Sequence, residues 1–181
     1  MIKGVTASRR GKPARGSSQP WETVTLTKAR SAARSVPSDN PRAHWPPELQ
    51  RDYEANRFSG CVGSVLVSET DRVRVWHLTI PPGKRCNFHR HVLNYFWTAL
   101  NGGKARNFYE DGTQSDASYF KGQTQHMTFA KGEYMVHALE NTGETDLVFA
   151  TVEFLDSPNR PLPVADAMRL EAPSDNPRVL P

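Results

Sequence analysis

Where the prolines fall constrains this chain most. Twelve of its 14 prolines lie in residues 1–47 or 158–181, and the other two form the pair Pro81-Pro82. Proline has no N–H to give to a sheet ladder and is excluded from central strands. A proline-poor middle between proline-rich flanks therefore predicts a β-domain with irregular arms. Turn residues divide that middle into short β-rich runs over 62–68, 72–80, 92–100, 104–110, 118–120, 124–130, 133–139 and 146–155. Between them stand Glu69-Thr70-Asp71, Asn101-Gly102-Gly103, Asp111-Gly112, Lys121-Gly122, Lys131-Gly132 and Asn141-Thr142-Gly143. Short strands at this spacing predict an all-β antiparallel sandwich or barrel. One short helix is expected over 46–56, where proline and Glu48 open the first turn, and a second over 164–170.

Charge separates the arms from the body. Residues 1–36 carry Lys3, Arg9, Arg10, Lys12, Arg15, Lys28, Arg30 and Arg34 against one acid, Glu22, out of 23 basic and 19 acidic residues in all. The high isoelectric point, about 9.2, thus belongs to the arm, and the remaining body is mildly acidic. A nucleic-acid-binding domain carries its Lys and Arg on the folded surface, so no nucleic-acid partner is expected. The low mean hydropathy of −0.63 fits a chain with unpacked segments. Residues 1–36 read as a basic, flexible arm that cannot bury enough apolar area to order. Its basic, serine-rich composition also resembles a transit peptide. The hexapeptide Pro37-Ser38-Asp39-Asn40-Pro41-Arg42 recurs as Pro173-Ser174-Asp175-Asn176-Pro177-Arg178. It is too short and isolated to be a structural repeat. There is no apolar run long enough to span a membrane and no secretory h-region. Two cysteines, Cys61 and Cys86, do not make a disulfide framework, and both are read as reduced in a cytoplasmic setting.

The chemistry concentrates in His89-Arg90-His91 and in His137. Side chains at i and i+2 of an extended segment share a face, so His89 and His91 point the same way. A cation between them satisfies both imidazoles; the alternative is two polar side chains in a wet cleft. Gly83 precedes them as G-x5-H-x-H, and a third imidazole follows as Gly132 … His137-x3-Asn141.

These residues resemble the two motifs of the cupin superfamily. Motif one, G-x5-H-x-H-x3-E-x6-G, is matched by Gly83, His89, His91 and Gly102, with Tyr95 where the glutamate belongs. Motif two, G-x5-P-x-G-x2-H-x3-N, is matched by Gly132, His137 and Asn141. Ala130 replaces its proline, and four residues rather than two precede the histidine. The resemblance covers about residues 60–156. It looks closest to small single-domain cupins of the β-alanine degradation type, through Asp71-Arg72-Val73-Arg74-Val75-Trp76 and Phe149-Ala150-Thr151-Val152-Glu153-Phe154. It implies a double-stranded β-helix, or jelly roll, in which His89, His91 and His137 are metal ligands. Three imidazoles suit a divalent metal, iron first, with zinc, nickel or manganese as alternatives. Some cupins of this pattern work with three histidines alone, including thiol and diketone dioxygenases, and others bind metal weakly or not at all.

The resemblance thus implies a metalloenzyme acting on a small anionic or enolisable molecule, an oxidoreductase of dioxygenase type or an enzyme of isomerase or lyase type. The alternative is a non-catalytic ligand-binding or sensor cupin, which the absent glutamate favours. Tyr95 is the candidate catalytic residue beside the metal; its plain reading is a barrel aromatic. Arg106 and His126 are candidate substrate-binding residues, with solvent-exposed strand positions as the alternatives. Arg90 is a second candidate anion partner. Glu133 and Glu153 could stand in for the missing carboxylate, though an edge or solvent position is the simpler expectation for both. Cys86 reads as a small core residue, and His77 as structural. The expected organisation is a basic arm over 1–36, an extended and helical segment over 37–59 packing on the barrel, a barrel over 60–156 and a proline-rich arm over 157–181. Unpaired sheet edges and long arms, 20–58 and 156–181, lead us to expect a homodimer in which the arms cross the partner's sheet.

Overall fold

The structure, a computed structural model, describes residues 40–171. The basic arm 1–36, residues 37–39, the second hexapeptide copy and the end of the C-terminal arm lie outside the described residues. Nine strands follow one helix. The helix α1 spans Pro47–Asn56. The strands are β1 Val65–Glu69, β2 Val73–Ile80, β3 Arg85–His91, β4 Tyr95–Ala99, β5 Gly103–Tyr109, β6 Gln114–Tyr119, β7 Thr124–Met127, β8 Met135–Asn141 and β9 Leu147–Phe154. They form two antiparallel sheets, ordered β1-β2-β9-β4-β7 and β3-β8-β5-β6. The chain changes sheet at every strand connection except β1–β2 and β5–β6. That is the winding of a double-stranded β-helix, the jelly roll expected from the strand spacing.

Alternation along the strands sorts the side chains. In β9, Leu147, Phe149, Thr151 and Glu153 are buried, and the residues between them are less so. Leu78, Ile80, Ala99, Ala105, Leu139, Leu147 and Phe149, drawn from both sheets, close one end of the interior as an apolar plug. A second cluster lies outside the barrel. There Trp45, Leu49 and Tyr53, from α1 and the turn before it, cover Phe88, Phe108, Val136 and Ala138 on the outer face of the four-stranded sheet. Phe88 stacks on Trp45, with centroids 5.2 Å apart, and meets the Tyr53 ring edge-on at 5.3 Å. A third cluster, Val62, Leu66 and Trp76, is flanked by Val164 and Met168 of the C-terminal segment. The described parts of both arms thus pack on this chain's own barrel. At the β5–β6 hairpin Gly112 has φ +86, a conformation that disfavours L side chains. A Cβ there would also meet the Pro41 carbonyl oxygen at 2.2 Å.

Three sequence expectations are corrected. The run 118–120 is only the end of β6, whose alternating polar residues give no apolar signal. The run 124–130 stops as a strand at Met127. The second helix is a single 3-10 turn, Asp166–Met168, held short because the segment lies along β1, where Arg169 bridges Leu66 in parallel. Among the described residues, no helix is long and apolar enough to cross a membrane.

Candidate metal centre

A β-bulge builds the site. Strand β3 pairs with β8 as Cys86↔Leu139 and then as His89↔His137, so β3 carries one more residue than its partner. An extra residue reverses the alternation of everything after it. Phe88 therefore points outward under α1, and His89 and His91 turn into the barrel opposite His137. His89 Nε2 lies 3.0 Å from His91 Nε2, which lies 3.2 Å from His137 Nε2. The three potential ligand atoms all fall within 4.8 Å of one another.

The other ring nitrogens decide what those Nε2 atoms carry. His89 Nδ1 is 2.8 Å from the Asn87 carbonyl, which can only accept, so Nδ1 holds the proton. His137 Nδ1 donates to Asn107 Oδ1 at 3.2 Å. Both Nε2 atoms are therefore bare lone pairs aimed at the space beside His91. His91 can offer a proton to only one of them, and its Nδ1 is buried with no hydrogen-bond partner. Burial pushes the pKa of His91 and His137 well below the usual imidazole value and lowers that of His89. The cluster is thus neutral at neutral pH, the form in which imidazole ligates metals. Converging lone pairs need a cation. With metal–nitrogen bonds of about 2.1 Å, neighbouring nitrogens sit about 3.0 Å apart around an octahedral ion and about 3.4 Å around a tetrahedral one. The two separations from His91, 3.0 and 3.2 Å, fall in that range, and the fixed tautomers of His89 and His137 are the orientation that outer hydrogen bonds give to metal ligands.

A cavity of about 380 Å³ stands in front of the histidines. Tyr95, Asn107, Tyr109, Met127 and Thr151 line it together with Trp97, Tyr119 and Phe149. That volume suits a small organic molecule. Ser115, Asp116, Ala117 and Ser118 of β6, with Gln123, Gln125 and Met127 of β7, complete the wall. These are edge strands of the two sheets, and the consecutive lining residues of β6 show that the cavity opens along that edge. Tyr95, 4% exposed, stacks on the His91 ring with centroids 4.3 Å apart and planes at 15°. Burial raises its phenol pKa, so the hydroxyl stays protonated. Cys86 Sγ lies 3.7 Å from His89 Nδ1. Burial pushes that thiol up to about 12, so Cys86 behaves as the core residue expected.

Several expectations fail on strand phase. Arg106 does not reach the cavity: Ala105 and Asn107 take the inward positions of β5, and Arg106 pairs with Asp116 on β6 at 2.7 Å. His126 is exposed on β7 and packs beside Phe96 at 5.3 Å, while its neighbours Gln125 and Met127 face inward. Arg90 faces outward, between the rings of Phe58 and Tyr134. His77 is exposed and not structural. Asn107 and Thr151 line the candidate site and were not singled out from the sequence, although the inward phase of their strands would have marked them.

Glu153 is the largest departure. An edge or solvent position was expected, yet it is 3% exposed. It sits opposite Arg74 on one side and Tyr95 on the other and accepts a hydrogen bond from Trp76 Nε1 at 2.8 Å. Burial raises its pKa to about 7, against the lowering influence of Trp76 and Arg74. It is not one of the grouped ligand atoms. A carboxyl raised in the folded state favours folding fully at low pH, and that contribution is lost as pH rises from about 4.5 through about 7. Glu153→Gln keeps an acceptor for Trp76 and removes the charge. The variant is expected to gain up to about 3 kcal/mol over the parent at pH 8 and little at pH 4.5. Chemical unfolding at the two pH values checks this.

No family model and no curated protein matches the chain. Solved structures do. The chain is similar to a cupin domain protein from Bordetella pertussis, at 23% identity over 48% of this chain and 85% of that one, with a TM-score of 0.43. It is similar to an uncharacterized protein with a double-stranded β-helix domain from Klebsiella pneumoniae, at 24% identity over 48% and 70%, with a TM-score of 0.39. It is also similar to oxalate decarboxylase from Bacillus subtilis, at 28% identity over 45% of this chain and 21% of that one, with a TM-score of 0.36. By the winding of its own two sheets, the chain has the cupin fold. The three histidines of its two motif segments face one another inside it, positioned to bind a divalent metal.

Proposed function

We propose that this protein is a metal-dependent enzyme of dioxygenase type that acts on a small organic molecule able to chelate as an anion or enolate. The observation that carries this reading is the three-histidine cluster opening onto a cavity of about 380 Å³. Three neutral ligands leave a divalent ion with open positions and its full positive charge, which favours an anionic ligand. The lining has no lysine or arginine among the described residues, so the substrate's charge is met by the metal itself. When bound, the metal supplies Lewis acidity and, if it is iron, one-electron exchange with dioxygen. The chain supplies the rest. Asn107 and the Asn87 carbonyl fix two ligand tautomers, Tyr95 holds a protonated hydroxyl at the cavity wall, and the aromatic inner wall excludes water. Iron is the metal we favour. The two cysteines, both free, support a cytosolic setting. The unpaired edges of β6 and β7 support a homodimer.

The test is dioxygen uptake by iron-loaded protein against a panel of small enolates, thiols and hydroxy acids. Uptake with at least one class, lost in His137→Ala, is the expected result. An organic compound that raises the melting temperature without metal, together with no uptake from any class, would establish a non-catalytic binding cupin instead.

A further inference from the structure

The β3 bulge that turns the histidines inward is itself held from outside the barrel. An extra residue in a ladder leaves its backbone groups without strand partners. Here the Asn87 carbonyl accepts from His89 Nδ1 at 2.8 Å. The Phe88 N–H donates to Asp52 Oδ2 of α1 at 3.3 Å. The Asp52 side chain is 9% exposed. The same oxygen accepts from Arg85 Nη2 at 3.2 Å, and Oδ1 accepts from Asn56 Nδ2 at 2.8 Å. The Phe88 ring fills the pocket made by Trp45 and Tyr53. Helix α1 thus grips the bulge twice, through its amide and through its ring. Both grips fall on the residue before His89, and the carbonyl that fixes the His89 tautomer belongs to the residue before that.

We propose that Asp52 is a positioning residue for the metal centre, and that docking of α1 and occupation of the three-histidine site are thermodynamically coupled through the bulge. The inference rests on the metal reading above and goes beyond it. With Asp52 in place, the peptide between Asn87 and Phe88 is held at both of its polar atoms, and His89 Nε2 is aimed before metal arrives. If Asp52 is lost, the Phe88 amide has no acceptor and the peptide can rotate. His89 then loses the partner that sets its tautomer, with no ligand removed. Coupling is reciprocal, so metal must in turn slow the opening of α1.

The experiment is zinc binding by competition with a chromophoric chelator, for the parent, Asp52→Ala, Asp52→Asn and Arg85→Met. Asp52→Ala is expected to weaken zinc by about tenfold or more, the scale on which outer partners of ligands act. Asp52→Asn keeps an acceptor for Phe88 and stays close to the parent. Arg85→Met removes the ion pair, leaves the acceptor, and also stays close. Loss of stability alone cannot give this pattern, because Asp52→Asn and Arg85→Met both break the ion pair. Equal zinc affinity in all four proteins, with Asp52→Ala merely less stable, would overturn the proposal and leave the metal reading intact. Failure of the parent to bind zinc would sink the metal reading first. Hydrogen exchange in the parent gives a measurement independent of any variant. The Phe88 amide and the amides of α1 are expected to exchange more slowly with zinc than without it. Unchanged exchange there, with protection confined to β8, would overturn the coupling.

Discussion

Replacing His91 with alanine is expected to abolish stoichiometric metal binding and leave the fold intact. His91 Nε2 is the shared vertex of the cluster, 3.0 Å from His89 and 3.2 Å from His137, so no pair of the remaining nitrogens replaces it. Folding gains little from this side chain when no metal is bound. Its Nδ1 is buried without a partner, and such a group costs on the order of 1–3 kcal/mol. Truncation relieves that cost while opening a small void beside Tyr95. The two effects offset, and the metal-free variant should unfold within about 1 kcal/mol of the metal-free parent. The difference emerges on adding metal. At a hundred times the dissociation constant, a ligand of the folded state stabilises it by about 2.7 kcal/mol. The parent should show that increment and His91→Ala none. Paired unfolding curves with and without zinc check both halves.

Asn141→Ala is expected to be a strongly damaging substitution of a polar residue away from the metal. Asn141 is the last residue of β8 and is fully buried. Its amide donates to the Ile80 carbonyl at 2.7 Å and to the Thr145 carbonyl at 2.8 Å, and it accepts from the Gly143 N–H at 2.9 Å. One side chain therefore ties the end of β2 to the turn that carries the chain from β8 into β9. Alanine leaves three backbone groups without their partner and a void beside the plug of Leu78, Ile80 and Leu147. A loss of about 3 kcal/mol follows, which for a domain of this size lowers the melting temperature by about 10 °C. Asn141→Asp should recover little, since a carboxylate cannot donate to two carbonyls. Differential scanning calorimetry of the metal-free proteins separates the cases. A shift under about 2 °C for Asn141→Ala would contradict this account of the turn.

Asn141 also shows what the sequence made legible. Its spacing from His137 marked it as part of a motif, but the reason for that spacing is architectural. His137 faces the cavity from mid-strand, and Asn141 closes the strand's end. The double-sheet fold was readable because the strand region is poor in proline and turn residues fall between the strands. The ligands were readable because i and i+2 histidines share a face under any register. What strand phase alone decides was harder to read. Arg106 and His126 sit on strands whose inward residues are their neighbours, and nothing local distinguishes the two faces of a half-polar strand such as β5 or β7. Glu153 was hidden for the opposite reason. A carboxylate is expected at the surface, and only the opposed pairs Arg74↔Glu153 and Tyr95↔Glu153 reveal that its row faces inward. The bulge in β3 was invisible in a stretch as polar as Arg85-Cys86-Asn87, yet it determines which way His89 points.

The central claim is that His89, His91 and His137 together hold one divalent metal ion. Elemental analysis tests it most directly, on the full chain purified without added metal and again after reconstitution with iron, zinc, nickel or manganese and removal of the excess. The account predicts close to one equivalent of a single metal per chain, retained by the parent and absent from His91→Ala. No metal in the purified protein, and none retained after any reconstitution, would contradict it.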